Sequence, residues 1–166
     1  MKDSNEGREF ENRKIIYELE EQIEKGYLLH GSRFDIEGMI EPRPAKDGSG
    51  HEVRNLTAVY ATNKIPVALA MAMLQKDDPS KPGLKGWDDD GENYIFFGEN
   101  TVLRPGFIYM LPVKSFQTFD FELDDKNCKE IVSYDSVMPI KKYQIEPDIL
   151  NVVKSIQTTL KIGNKL

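Results

Sequence analysis

The sequence predicts an α+β domain built on a mostly antiparallel sheet with flanking helices, and three observations carry that expectation. Helical periodicity is confined to residues 8–25, 63–75 and 147–161. Between Tyr94 and Glu146 the chain breaks into short runs rich in aromatic and β-branched residues: "YIFFG", "GFIYMLPV", "FQTFDFEL", "KEIVSYDSV" and "KKYQIE". The resulting order is helix, strand, strand, helix, several strands, helix, which is not the regular alternation of a parallel βαβ sheet.

Taken in order, residues 8–25, "REFENRKIIYELEEQIEK", set Phe10, Ile15, Ile16, Leu19 and Ile23 at helical spacing with Gly26 as C-cap. "YLLH" (27–30) reads as a short strand closed by a tight turn at Gly31. Residues 35–54 read as an irregular surface loop, because "EPRPAKDGSGHEVR" is rich in Pro and Gly. "NLTAVYAT" (55–62) reads as a strand. Thr62 or Asn63 then offers an N-cap, Pro66 suits a first helical turn, and "VALAMAMLQ" continues as a buried helix of small residues. Residues 76–93, "KDDPSKPGLKGWDDDGEN", form a polar insertion without periodicity. Pro147 opens a closing amphipathic helix with Ile149, Val152, Val153, Ile156 and Leu160 facing inward.

A chain of 166 residues fits one domain, 1–166, with a core large enough to fold without staples. Apolar residues make up 39% and charged residues 30%, which excludes a disordered or membrane-embedded chain. No run approaches the roughly 20 apolar residues of a bilayer span. "MKDSNEGREFENRK" lacks the apolar stretch of a secretory signal, so a cytoplasmic location is expected. Cys128 is the single cysteine, so no intrachain disulfide can form. With two histidines beside it, a zinc site of sulfur and nitrogen ligands is not expected either. A net charge of −6 argues against broad contact with nucleic acid.

Several familiar motifs fail on their own chemistry. "GSGHEV" (48–53) begins like a dinucleotide turn, but Val53 stands where the third glycine belongs. "GWDDDGEN" would put Gly86 at the first ligand of a calcium loop and Phe97 at its glutamate. Neither a phosphate-binding Walker loop nor a Gly-x-Ser-x-Gly elbow is present. His51, in the Gly-rich loop, reads as an exposed side chain.

Three segments survive together: "YLLHGSR" (27–33), "VYATNKIPVALAMAM" (59–73) and "KEIVSYDSVMPIKKYQI" (129–145). In order and with their flanks they resemble the core of the NAD-dependent ADP-ribosyltransferases, in the branch of the poly(ADP-ribose) polymerases and diphtheria toxin. That branch carries a His-Gly-Ser/Thr strand end, a strand ending in tyrosine before a helix, and a glutamate opening a later strand. His30, Tyr60 and Glu130 take those places. The likeness covers about 40 residues in three blocks.

The resemblance implies a split antiparallel sheet, NAD as substrate without a metal, and transfer of ADP-ribose to a protein or nucleic-acid acceptor that the sequence does not identify. It implies that Glu130 is the catalytic carboxylate, that Tyr60 stacks on nicotinamide, and that Gly31 meets the carboxamide through its main chain. His30 would hold the adenine-side ribose, Ser32 would assist, and Arg33 would reach a phosphate. The chemistry suits those residue types. Breaking the N-glycosidic bond leaves an oxocarbenium-like ribose that a carboxylate stabilises, while a planar ring takes an aromatic face.

The chain departs from the family's pattern on the helix after Tyr60, where a serine and a second aromatic are expected. A gapless count puts Ala68 and Met71 there, leaving Tyr94, Phe96, Phe97 or Tyr109 to supply the ring from elsewhere. That departure keeps a second reading open: an inactive module of the same fold that binds a nucleotide or ADP-ribose. A third, transfer chemistry on an RNA 2'-phosphate, fits poorly with an acidic chain. The acidic stretch 120–129, "DFELDDKNCK", would border the acceptor.

Overall fold

The computed structural model describes residues 2–44, 56–83, 85–87, 94–123, 126–153 and 157–159. The chain opens with α1 (Lys2–Glu24), β1 (Leu28–Ser32), β2 (Arg43–Pro44), β3 (Thr57–Ala61) and α2 (Ile65–Met73). It continues through β4 (Leu74–Lys76), β5 (Lys85–Trp87), β6 (Tyr94–Phe97), β7 (Thr101–Leu103) and β8 (Gly106–Leu111). After these come β9 (Gln117–Leu123), β10 (Lys126–Ser133), β11 (Lys141–Ile145), a 3-10 helix (Pro147–Val152) and β12 (Gln157–Thr159). The class is α+β, and among the described residues every strand pairing is antiparallel except that of β12 with β6.

Helix α1 begins earlier than its periodicity predicts. It buries Asn12, Ile16 and Leu19, with Ile15 and Ile23 partly covered. Phe10 does not face inward as expected but is 66% exposed. It precedes Leu19 by nine residues, about two and a half turns, so the two side chains leave opposite sides of the helix. Gly26 ends the helix at φ 97°, a conformation that side-chain residues rarely adopt. The Tyr27 amide then donates to the Gln22 carbonyl at 3.1 Å.

Two sheets carry the fold. In the first, β8 lies between β1 and β11; in the second the order is β2, β3, β10, β9. Among the described residues they join where Leu29 and Thr62 exchange two main-chain hydrogen bonds of 2.8 Å. Side chains of successive strand residues point to opposite faces. Leu29, Ile108 and Ile145 therefore join Leu69, Met73 and Ile149 in a core on the α2 side. Leu28, Tyr109 and Leu111 instead meet Val59, Ala61 and Val137 in a second core.

Gly31 is not a turn residue, as the sequence reading expected, but lies inside β1 opposite Ile108. Its missing side chain is a packing requirement. A Cβ at Gly31 would come within 2.2 Å of the Ala68 carbonyl oxygen, and one at Gly106 within 2.0 Å of the Ala72 carbonyl oxygen. The backbone of α2 rests directly on β1 and β8, and its alanines are small for the same reason. The helix cap also differs from expectation: Lys64 is the N-cap without a side-chain bond, while Thr62 Oγ1 accepts from the Lys64 amide at 3.0 Å.

Within 35–54, the expected loop contains β2 and an isolated pairing of Ile40 with Val137; His51 lies outside the described residues. The described residues of the polar insertion carry structure of their own, including Lys76 at the end of β4 and the whole of β5. Between β6 and β7, Asn100 adopts φ 56° and reaches the turn that follows β4. Its side chain accepts from the Asp78 amide at 2.7 Å and donates to the Asp78 and Lys81 carbonyls at 2.9 and 3.0 Å. The closing helix is cut to one 3-10 segment followed by β12, which suits a β-branched stretch of low helix propensity. Ile149 and Val152 are buried as expected, whereas Ile156 and Leu160 lie outside the described residues. Arg8 at 2.9 Å and Asn12 at 3.0 Å hold Asp148 and dock this segment on α1. No helix among the described residues is long and apolar enough to cross a membrane.

Because the contact at Gly106 is with main chain, which cannot rotate away, Gly106→Ala is expected to destabilise the fold by about 3 kcal/mol. Urea denaturation of the two proteins measures it, and an unchanged midpoint would refute the seating of α2 on β8.

Candidate functional site

The three singled-out residues come from adjacent strands. β3 leaves β10 on one side and meets β1 on the other, so His30, Tyr60 and Glu130 sit on consecutive strands of one surface. Their side chains do not all share a face. Tyr60 is in register with Val132, and Glu130 lies two residues before Val132, so Tyr60 and Glu130 project to the same side on a diagonal. In a regular ladder such a diagonal spans about 7–8 Å. His30, by contrast, alternates with Leu29 and Gly31 and lies on the side of Tyr109, whose ring centroid is 6.2 Å away.

His30 reaches Tyr60 through the main chain. Imidazole Nδ1 stands 2.6 Å from the Tyr60 carbonyl oxygen. A carbonyl can only accept, so Nδ1 carries the proton and, in the neutral ring, Nε2 is left as an acceptor. This contact occupies the place where β1 and β3 separate after the Leu29–Thr62 pair. Burial holds the His30 pKa below its usual value; the bond to the Tyr60 carbonyl opposes that shift, and the charge of Arg43 adds to it.

The same separation orients Gly31. Leu29 directs its amide and carbonyl to β3, so alternation turns those of Gly31 to that side too, away from β8. Its Cα side is closed by α2, which leaves the main chain as the only part of Gly31 that a ligand can meet. Tyr60 is partly buried, and its hydroxyl donates to the Leu56 carbonyl at 2.9 Å. Glu130 is partly buried, opposite Phe119 of β9.

Ser32 Oγ accepts from the Phe34 amide at 3.1 Å, which starts the turn out of β1. Arg33 is exposed and stacks its guanidinium over the Phe34 ring at 4.6 Å. Tyr109 pins the segment that follows, its hydroxyl donating to the Phe34 carbonyl at 2.8 Å and accepting from the Ile36 amide at 2.6 Å. Ala68 is wholly buried and Met71 half-buried on the helix over Gly31. Of the aromatics considered for a second stacking ring, Phe97 and Tyr109 are core residues, and only the backbone is described for Tyr94 and Phe96. Stretch 120–129 forms the facing ends of β9 and β10, with residues 124 and 125 outside the described set.

Sequence reasoning missed Arg43, whose charge reaches His30, and the structural use of Tyr109. Neither has a local signature: Arg43 sits in a Pro-flanked stretch, and Tyr109 is one aromatic among several in its strand. Two surface depressions stand out among the described residues, about 550 Å³ beside Phe10 and Tyr17 and about 300 Å³ beside Tyr27 and Pro112. Neither includes His30, Tyr60 or Glu130, and their mixed, open linings carry no chemistry of their own.

The His30 geometry has a pH signature. Its folded pKa lies below the unfolded value, so the unfolded chain takes up the proton first. The stability it contributes is full above the ordinary histidine pKa, about 6.5, and is lost as the pH falls through the folded pKa. Urea midpoints between pH 8 and 5 should therefore fall less steeply in His30→Gln than in the parent chain. An NMR titration should place the imidazole below its usual pKa; a normal or raised value contradicts the burial of the ring as the dominant influence. Comparison of the chain with protein-family models, with curated proteins and with solved structures finds no match.

Proposed function

We propose that the chain binds NAD where β1 and β3 separate, cleaves its nicotinamide–ribose bond and passes ADP-ribose to an acceptor. The observation that carries this reading is the His30–Tyr60 contact across the split. It ties the His-Gly-Ser strand to the tyrosine strand, with Glu130 one strand further on and on the face of Tyr60. The ADP-ribosyltransferase-like fold belongs to the same proposal, supported by an antiparallel sheet divided in two with a main-chain junction.

In this reading the nicotinamide amide exchanges hydrogen bonds with the amide and carbonyl of Gly31, and the ring lies against Tyr60. His30 Nε2 accepts from a ribose hydroxyl, with the ring held by Nδ1. Glu130 provides negative charge beside the ribose as its C1' becomes cationic. The glycosidic electron pair leaves with nicotinamide and neutralises the pyridinium. The acceptor then donates its own pair to C1' and loses a proton. No step calls for a metal.

One observation favours a second reading, a module that binds a nucleotide or ADP-ribose without turnover. Ala68 and Met71 give the site neither a hydroxyl nor a second ring, and Ala68 is sealed in the core. Glu130→Gln separates the two, because it removes charge and keeps shape. In an enzyme, nicotinamide release should fall at least about 100-fold, the size of a lost electrostatic contact in a transition state. NAD affinity measured by calorimetry should change little. Retained turnover in that variant removes Glu130 from catalysis, and NAD binding without any nicotinamide release in the parent chain leaves the binding module.

A further inference from the structure

Beyond the three strand residues, two cations gather at the end of β1. Ser32 is in register with Phe107, so Arg33 leaves the strand at the level of Gly106. Ala72 of α2 passes directly over Gly106. Two residues further on, the Leu74 carbonyl accepts from Lys85 Nζ at 3.1 Å. The β1 exit, the end of α2 and β5 thus meet in one place. Lys85 is exposed as a residue, but its ammonium turns inward to that carbonyl. Burial lowers its pKa from the usual lysine value, and the charge of Arg33 lowers it further.

Among the described residues neither cation has a carboxylate partner; the ion pairs there use Arg8, Arg13, Lys25, Lys81, Arg104, Lys141 and Lys142. Two neighbouring positive charges repel, and more strongly where water is excluded. Both keep donors to spare. Lys85 uses one of three N–H groups on Leu74, and stacking on Phe34 leaves the guanidinium edge of Arg33 open. A planar fork beside a point charge suits phosphate oxygens.

We propose that Arg33 and Lys85 form an anion-binding pair that takes the diphosphate of a nucleotide. The identification of the anion as a nucleotide's rests on the reading of the preceding subsection. Arg33 lies two positions after Gly31, about 7 Å along an extended chain, so a ligand seated against the Gly31 main chain can extend its phosphates toward the pair. Lys85 falls in the polar insertion, where no sequence motif marks it.

The test is calorimetric titration of the full chain with ADP and with inorganic pyrophosphate, at low and raised salt. The parent chain should bind both, more weakly as salt rises. Lys85→Met and Arg33→Gln should each weaken ADP about tenfold or more, the loss expected for one charge-assisted hydrogen bond, while Lys85→Arg keeps most of the affinity. Arg33→Gln alters an exposed side chain, so folding does not confound it. Unchanged ADP affinity in Lys85→Met with a lowered urea midpoint overturns the pair and makes Lys85 a structural prop of α2, as does absence of ADP and pyrophosphate binding by the parent chain. ADP binding that needs both cations in a chain releasing no nicotinamide upholds the pair and removes NAD cleavage. Nicotinamide release that neither variant changes does the reverse.

Discussion

The direct seating of the α2 backbone on β1 and β8 is the constraint from which the rest of the molecule follows. At Gly31 and Gly106 the helix comes so close that no Cβ fits. This contact fixes the height of α2 above the first sheet, and with it the positions of Leu69 and Met73 in the larger core. It also commits one side of Gly31 to packing. The glycine cannot offer that side to a ligand, and its main chain becomes what it presents toward β3.

Where the helix closes one side of β1, the parting of the sheets opens its edge. Among the described residues, the main-chain rung that joins β1 to the end of β3 is that of Leu29 and Thr62, and the next acceptor back along β3, the Tyr60 carbonyl, is met by an imidazole. A buried carbonyl left without a donor would be costly. His30 therefore has a structural task beside the chemical one proposed for it. Its side chain bridges a gap that backbone does not, and in doing so sets its own tautomer. That dual use answers why an imidazole follows the apolar run of β1, where leucine would pack but would leave the carbonyl without a partner.

The charges around this edge are arranged in separate places. Glu130 shares a face with Tyr60, Arg43 lies near His30, and Arg33 stands with Lys85 where β1 meets the end of α2. A ligand with a cationic ring at one end and phosphates at the other matches that ordering, which is the physical content of the NAD proposal. A ligand with phosphates alone would use only part of it.

By itself the sequence determined the element types with strong local signals: the stripe of α1 with its terminal glycine, the strand that holds Tyr60, the small-residue helix with Pro66, and the run of aromatic strands. It also singled out His30, Tyr60 and Glu130 as candidates, and these fall on β1, β3 and β10. Pairing, register and packing belong to the tertiary structure, because they depend on contacts between residues far apart in the chain. Local pattern placed Phe10 inward and extended a helix past Val153, whereas the helix phase and β12 pairing with β6 decided otherwise. Gly31 looked like a turn because glycine has conformational freedom. Only the approach of α2 reveals that space was what it was needed for. In the same way, nothing local to residue 85 distinguishes it from any lysine in a polar stretch; its inward ammonium and its cationic neighbour exist only once β5 is set beside the end of α2.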